Sequence, residues 1–317
     1  MRRRALPLVT ALSCATRVAL ADDPPRPEDV ARIETPIRDP YQLPDVPRAL
    51  SLPELTHPGI ELTTTTAIGS LTNGSTNAPE MLERLGIEAP LGHRRWYVGL
   101  AYEAAYGAPA EARGAPGLVG GNLELYGRTV WATRTGLAFG GGLGVLPPIA
   151  TYSEGSGGSN VALAAISLQP WDYAFFRTGV LTARPFVDVR TVFGPFVVQL
   201  RQSLDFSIDV NDVSQRDVSA ATTVYFGWLA THMIGVGLET TEYYLIDADV
   251  PDSQRAKVVA APNVRFLLPG IQPAIGAFVG VGTPLASYAQ SVWGLRFALT
   301  FVWDPKRPFF RALDLFP

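Results

Sequence analysis

The chain has 317 residues, with 26 Lys+Arg against 29 Asp+Glu, and its formal net charge of -3 gives nucleic acid no electrostatic footprint. Apolar residues make up 47% and mean hydropathy is +0.14, yet only 17% of residues are charged, against about 25% in ordinary soluble domains. No uninterrupted apolar run reaches the ~18 residues that a membrane-spanning helix needs; strands that alternate apolar and polar side chains produce the same combination. Lysine occurs only at Lys257 and Lys306, so almost every positive charge is an arginine.

The N-terminus reads as an export signal. Arg2, Arg3 and Arg4 form a charged start, Ala5 to Thr16 a short apolar region, and Ala19-Leu20-Ala21 a small-x-small cleavage site before Asp22. Cys14 is the only cysteine, so cleavage after Ala21 leaves no thiol for disulfides or catalysis. An alternative is lipidation of Cys14, because Ala11-Leu12-Ser13-Cys14 resembles a bacterial lipoprotein cleavage site with Ala where Leu is usual. Residues 22–58 read as an acidic linker: Pro24, Pro25, Pro27, Pro36, Pro40, Pro44, Pro47, Pro53 and Pro58 exclude a helix or central strand, and no periodic apolar face is present. An extended tether, in the periplasm or against a barrel mouth, is expected.

From residue 59 the pattern changes to strands separated by Gly, Pro, Asn and Ser clusters. The first runs from Gly59 to Leu71, followed by a polar loop with a possible helical turn at Met81 to Leu85. The second, Arg94 to Tyr106, places Trp96, Val98, Leu100 and Tyr102 on one face and Gly99, Ala101 and Glu103 on the other. Gly121 to Ala132 and the glycine-rich Leu137 to Leu146 form a hairpin through Thr133 to Gly136. Asn160 to Leu168 is ambiguous, a fifth strand or a loop helix leading into Trp171, Tyr173, Phe175 and Phe176. Val180 to Val192 then pairs with Phe196 to Ile208 through Gly194-Pro195, Val218 to Ala230 with Ile234 to Tyr244, and Val258 to Leu268 with Ala274 to Gly282.

The last strand, Ser291 to Trp303, shows the scheme most clearly. Trp293, Leu295, Phe297, Leu299, Phe301 and Trp303 share one face; Val292, Gly294, Arg296, Ala298 and Thr300 share the other. The count is twelve with Asn160 to Leu168 and eleven without, and the even number expected of single-chain barrels favours twelve. Short turns should all lie on one side, but here they change side midway. Either one strand between residues 145 and 195 is misassigned or one outer loop is short. Pro185 and Pro262 fall inside strands and mark strand starts or bulges.

Gly141 to Ala150 and Gly280 to Ala286 echo one another, each a glycine-rich strand running into proline and a polar loop. With the export signal and the proline-rich linker, this resembles porin-like outer-membrane proteins of Gram-negative bacteria. The resemblance implies an all-β fold: a transmembrane antiparallel β-barrel of about twelve strands over residues 59–304, located in the outer membrane. Its neighbours would be outer-membrane lipid, the barrel insertion machinery and small solutes. Such barrels commonly end in an aromatic residue that the insertion machinery reads. Here Trp303 closes the strand and a tail, residues 304–317, follows.

Parity assigns Glu103, Glu124, Arg128, Arg184, Asp188, Arg190, Arg201, Asp205, Glu239, Arg265 and Arg296 to the lumen. Five acids against six arginines allow two readings, a set of salt bridges filling a narrow lumen or a charged constriction for small solutes. Near-balance of sign argues against strong ion selectivity. A passive channel is therefore expected, with a structural or surface-interaction barrel plugged by salt bridges as the alternative and a secreted β-sandwich as the third reading. Enzymatic activity is not expected: among His57, His93 and His232, none has a Ser–Asp pair placed near it by the sequence. No metal-ligand spacing and no nucleotide fingerprint point to a cofactor.

Overall fold

The computed structural model describes residues 41, 46–73, 76–92, 95–107, 117–152, 157–247, 255–268, 270–281 and 291–303. The export signal with Cys14, the first part of the linker, His93 and the C-terminal tail lie outside them.

Twelve antiparallel strands close into one barrel: β1 (Ile60–Asn73), β2 (Thr76–Leu91), β3 (Trp96–Gly107), β4 (Gly117–Ala132), β5 (Ala138–Leu146), β6 (Val180–Phe193), β7 (Phe196–Asp209), β8 (Arg216–Leu229), β9 (Ile234–Leu245), β10 (Ala256–Phe266), β11 (Ile271–Val281) and β12 (Ser291–Trp303). Each strand pairs with its chain neighbours, and β1 closes on β12 in the register Ile60↔Trp303 to Thr72↔Ser291. Closure leaves no edge, so the backbone ladder is satisfied without water, as hydrocarbon demands.

The two faces differ as a lipid-spanning barrel requires. Leu62, Ile68, Leu85, Leu125, Val187, Leu200, Val224, Leu238, Ile275 and Leu295 are exposed on the outside. Trp96, Trp131, Phe139, Phe193, Trp228, Phe266 and Trp303 are exposed where strands meet the short turns, and Tyr106, Phe206, Tyr244 and Trp293 are exposed towards the other end. These two girdles suit the two membrane interfaces. Stacking between Trp131 and Phe139 (5.5 Å), Phe193 and Phe196 (5.7 Å), and Phe196 and Phe226 (5.9 Å) ties adjacent strands within the first girdle.

One expectation needs correction and one ambiguity is resolved. Thr76–Leu91, read as a loop with a helical turn, is the strand β2, and Asn160 to Leu168 is helical, within α1 (Gly157–Leu168). Glu83 misleads the reading of β2 because it breaks the apolar outer face. Its carboxylate is satisfied there by the hydroxyls of Thr64 and Thr66 on β1. With β2 restored, the turns 92–95, 133–137, 194–195, 230–233 and 267–270 all fall at the end where β1 begins and β12 stops. The two residues between β1 and β2 make one connection at the opposite end short. Pro185 and Pro262 lie within strands and form no bulge. Around each, pairing to one neighbour lapses for two residues and resumes in the same register.

The barrel is filled by two inserts. Residues 46–59, which precede β1, enter from the short-turn end. From the opposite end comes α1, followed by a 3-10 turn (Pro170–Phe176), both carried by the connection between β5 and β6.

Candidate functional site: the occupied lumen

Of the eleven residues that parity sends inward, ten are buried and Arg201 is nearly so. They fall into two groups according to their partners. The first pairs wall to wall on β2–β7. Arg184 makes a two-pronged contact with Asp205, at 2.6 and 2.9 Å, and Arg201 makes one with Asp188, at 2.8 and 2.7 Å. Glu103 accepts from Arg84 at 3.1 Å, and Glu124 lies 3.5 Å from Arg184 and 3.8 Å from Arg84. Planar guanidinium forks match carboxylates in this geometry, and adjacent strands hold both partners rigidly.

The second group reaches for the N-terminal insert. Arg190 pairs with Glu54 and approaches the Thr56 hydroxyl at 3.2 Å. Arg128 donates to the carbonyls of Glu54 (2.6 Å) and Leu55 (3.1 Å) while pairing with Glu88 on the wall. Glu239 accepts from the Leu50 amide (2.8 Å), the Ser51 amide (3.1 Å) and the Ser51 hydroxyl (2.7 Å), and from Arg296 at 3.2 Å. Arg265 donates to the Ala49 carbonyl at 3.1 Å, and Gln199 to that of Pro53 at 3.3 Å. The insert's own charges are matched too: Arg48 pairs with Glu61 at 2.7 Å, and the His57 ring lies 2.7 Å from Glu88 and 2.6 Å from the Gly59 carbonyl.

Proline explains this bonding pattern. A chain with Pro47, Pro53 and Pro58 cannot form a ladder, so its carbonyls and remaining amides need side-chain partners once buried. The barrel's inward arginines, Gln199 and Glu239 supply them. Apolar residues of the insert fill the gaps: Val46, Ala49 and Leu52 against Val197 and Tyr225, Leu50 against Ala274 and Ala298, and Leu55 against Tyr97, Val130 and Ala138. Wall glycine makes room for the chain, since a Cβ on Gly235 would collide with the Pro47 ring.

The second insert is held differently. Val161, Ala162, Ala165 and Leu168 share one helical face and pack with Phe175 and Phe176 against Ala67, Leu82, Ala101, Ala105, Val119, Leu146 and Phe278 of the wall. Gly69 opens the space that Leu168 occupies. Arg84 and Arg184 lie over the Phe175 ring at 5.2 and 5.7 Å, joining the wall's ion pairs to the insert's aromatic end. The Asn122 amide donates to the carbonyls of Ala174 (2.9 Å) and Arg177 (2.8 Å), and the Tyr152 hydroxyl donates to Phe176. Burial pushes the Tyr152 phenol up, which keeps that donor protonated. Between the inserts a cavity of about 70 Å³ remains, lined by residues of both the insert and the wall, among them Arg48, Glu61, Gln169, Arg265, Arg296 and Thr300.

The inward charges outside the parity set include Glu54, His57, Arg48, Glu61, Glu80, Arg84, Glu88 and Lys257. Arg84 and Glu88 went unrecognised with β2; Arg48, Glu54 and His57 lay in a stretch that read as a tether. The tether reading does not describe residues 46–58, which are buried in the lumen apart from the partly exposed Ser51, Pro53 and Pro58. His232 is exposed in the turn between β8 and β9. Among the described residues no cluster of His, Cys, Asp or Glu has metal-site geometry.

No family model matches the sequence, and no curated protein does. Among solved structures, the chain is similar to the COG4313 outer membrane channel from Pseudomonas putida F1, at 12% identity and a TM-score of 0.55, covering 85% of this chain and 100% of that one. The KdgM porin matches at 10% identity and a TM-score of 0.44, over 76% of this chain and 99% of that one. The closed strand order and the exposed apolar belt are those of a membrane-spanning β-barrel, and the chain shares its fold with the COG4313 outer membrane channel.

Proposed function

We propose that the chain is a channel for small solutes, with a lumen lined by arginine and carboxylate side chains and closed here by its N-terminal insert. The observation that carries this reading is the division of the inward charges. Arg184–Asp205, Arg201–Asp188 and Arg84–Glu103 are complete within the wall and stay paired when the insert leaves. Arg190 and Arg265 have no carboxylate on the wall among the described residues and bond the insert, so on its departure they become free charges lining a wetted passage, while Arg128 and Glu239 lose their insert contacts and keep Glu88 and Arg296. A barrel stabilised only by its own salt bridges would have no use for the second group. The similarity to a solved outer-membrane channel supports the same reading.

Planar-bilayer recording tests the proposal. The full chain should show a low, intermittent conductance, and a variant lacking residues 46–56 should show larger, sustained steps. Absence of steps above baseline from both proteins would overturn it. Liposome swelling with neutral and charged solutes of graded size would then define the passage.

A further inference from the structure

We infer that His57 is a pH-sensitive latch on the N-terminal insert, fastened when its imidazole is protonated and released when it is neutral. The inference rests on the reading of that insert as the channel's closure. His57 is fully buried and stands just before β1, where the insert joins the wall. Its Nε2 lies 2.7 Å from Oε1 of Glu88 on β2, and its Nδ1 lies 2.6 Å from the Gly59 carbonyl. A carbonyl oxygen only accepts. Both oxygens of Glu88 accept from Arg128, one of them from Nε at 2.8 Å, which is the fork geometry of an ionised carboxylate with no proton to donate. The ring therefore meets an acceptor at each nitrogen. A neutral imidazole has one N–H and one lone pair, and only the imidazolium donates from both sides.

Loss of the proton turns one of these contacts into a lone pair facing an acceptor. Either the hold on Glu88 fails or the hold on Gly59 does, and the ring no longer ties the insert's hinge to the wall. Low pH thus fastens the insert, and rising pH releases it. The groups around the ring set the balance. Arg128 of β4 shares Glu88, so protonation puts two cations on one carboxylate, and Arg128 opposes the proton that the two acceptors demand. The Tyr97 ring of β3 packs on His57 at 4.8 Å with its hydroxyl 3.4 Å from the His57 amide, and Arg128 lies over that ring at 4.4 Å. The Tyr126 phenol of β4 reaches Glu88. The other charges nearby among the described residues are paired with one another: Asp188 with Arg201, Arg190 with Glu54, and Arg48 with Glu61. His57 is the one histidine of the insert, and histidine is the side chain whose ordinary titration falls between about pH 5 and 8.

Amide hydrogen exchange of the full chain in detergent tests the latch, with each rate divided by that of an unstructured chain at the same pH. Between about pH 5 and 8.5, protection over residues 54–57 should fall by about tenfold to a hundredfold, as loss of one hydrogen bond to a charged group predicts. Protection over β7 should not change. His57→Gln, which has no proton to lose in this range, should abolish the step. His93→Gln combined with His232→Gln should keep it, and that variant leaves His57 as the only histidine. Its nitrogen-15 NMR signals then report the ring directly: both nitrogens should carry protons where the insert is protected, and one should lose its proton across the step. Heat-modifiable gel migration confirms that each variant is folded; if His57→Gln fails to fold, the NMR titration carries the test. Protection independent of pH, a step that survives in His57→Gln or vanishes with the other two histidines, or a neutral ring in the protected state would overturn the latch. In planar bilayers the parent's conductance should rise over the same pH range. A chain whose protection steps but which never conducts would overturn the channel proposal alone, and one that conducts with flat protection would overturn the latch alone.

Discussion

The two inserts fill one lumen by opposite chemistry. The N-terminal insert is proline-rich and irregular, and the wall holds it through Arg190, Arg128, Arg265, Gln199 and Glu239. The insert from the β5–β6 connection satisfies its own backbone as a helix and a 3-10 turn, and it docks through Ala162, Ala165, Leu168, Phe175 and Phe176. Burial of the helix is driven by apolar area and changes little with what fills the remaining lumen. Burial of the irregular segment depends on partners that water or a solute could replace. A lumen closed by charged hydrogen bonds at one end and by apolar packing at the other has one insert suited to release and one suited to stay.

The largest test of this contrast is Glu54→Ala. The substitution leaves Arg190 buried with Thr56 as its remaining contact, and breaking a buried pair by removing one partner costs about 3–5 kcal/mol. Amide hydrogen exchange across residues 46–58 should accelerate by about a hundredfold or more, at 1.4 kcal/mol per tenfold, while α1 keeps its protection. Replacing both partners, Glu54→Ala with Arg190→Met, should recover most of the lost protection, because an apolar pair needs no counter-charge. Unchanged exchange in the single variant would show that the segment is held by packing after all.

Leu168→Ala is the matching test of the other insert. Leu168 is fully buried against the wall at Gly69, and truncation of such a leucine costs about 2–5 kcal/mol. Exchange should accelerate over residues 157–176 and remain unchanged over 46–58. Acceleration of both segments would mean that the inserts are coupled and that the division drawn between them is wrong.

The barrel wall was legible in the sequence because each strand has two faces with a period of two. Ser291 to Trp303 states the whole plan, and its alternation survives in the register with β1. β2 was not legible because Glu83 sits on the outer face, where Thr64 and Thr66, a strand away, satisfy it. No local pattern encodes that contact. Residues 46–58 were hidden for a related reason: an irregular segment has no period, and the partners that explain its burial lie 13 to 216 residues away in the chain. One clue was available. Six arginines against five acids on the inward faces leave a surplus cation, and Glu54 supplies part of the answer.

A smaller effect is expected at Thr56→Val. The hydroxyl stands 3.2 and 3.3 Å from the two terminal nitrogens of Arg190, and loss of one such bond costs about 1–3 kcal/mol when the donor is left buried. Exchange should rise over 54–58 by a few-fold to about a hundredfold and less than in Glu54→Ala. An effect as large as that of Glu54→Ala would place the anchor at the hydroxyl, and the carboxylate would then matter less than its burial suggests.

The smallest effect is predicted at the ionic contact of the apolar insert. Arg177, just after the 3-10 turn, pairs with Asp217 at the start of β8 at 2.5 Å, but the two side chains are 20% and 25% exposed. Water at that level of exposure screens the pair, and its contribution should be at most about 1 kcal/mol. Arg177 also lies over the Tyr173 ring at 5.1 Å, a contact that needs the cation but not the aspartate. Asp217→Asn should therefore alter exchange over 170–176 by less than about fivefold, and raising the salt to 1 M should remove the difference between parent and variant. Arg177→Gln should cost somewhat more and keep a salt-independent part, because it loses the ring contact as well. A large, salt-resistant effect of Asp217→Asn would show that this insert too is anchored by charge. The contrast between the two would then rest on backbone regularity alone.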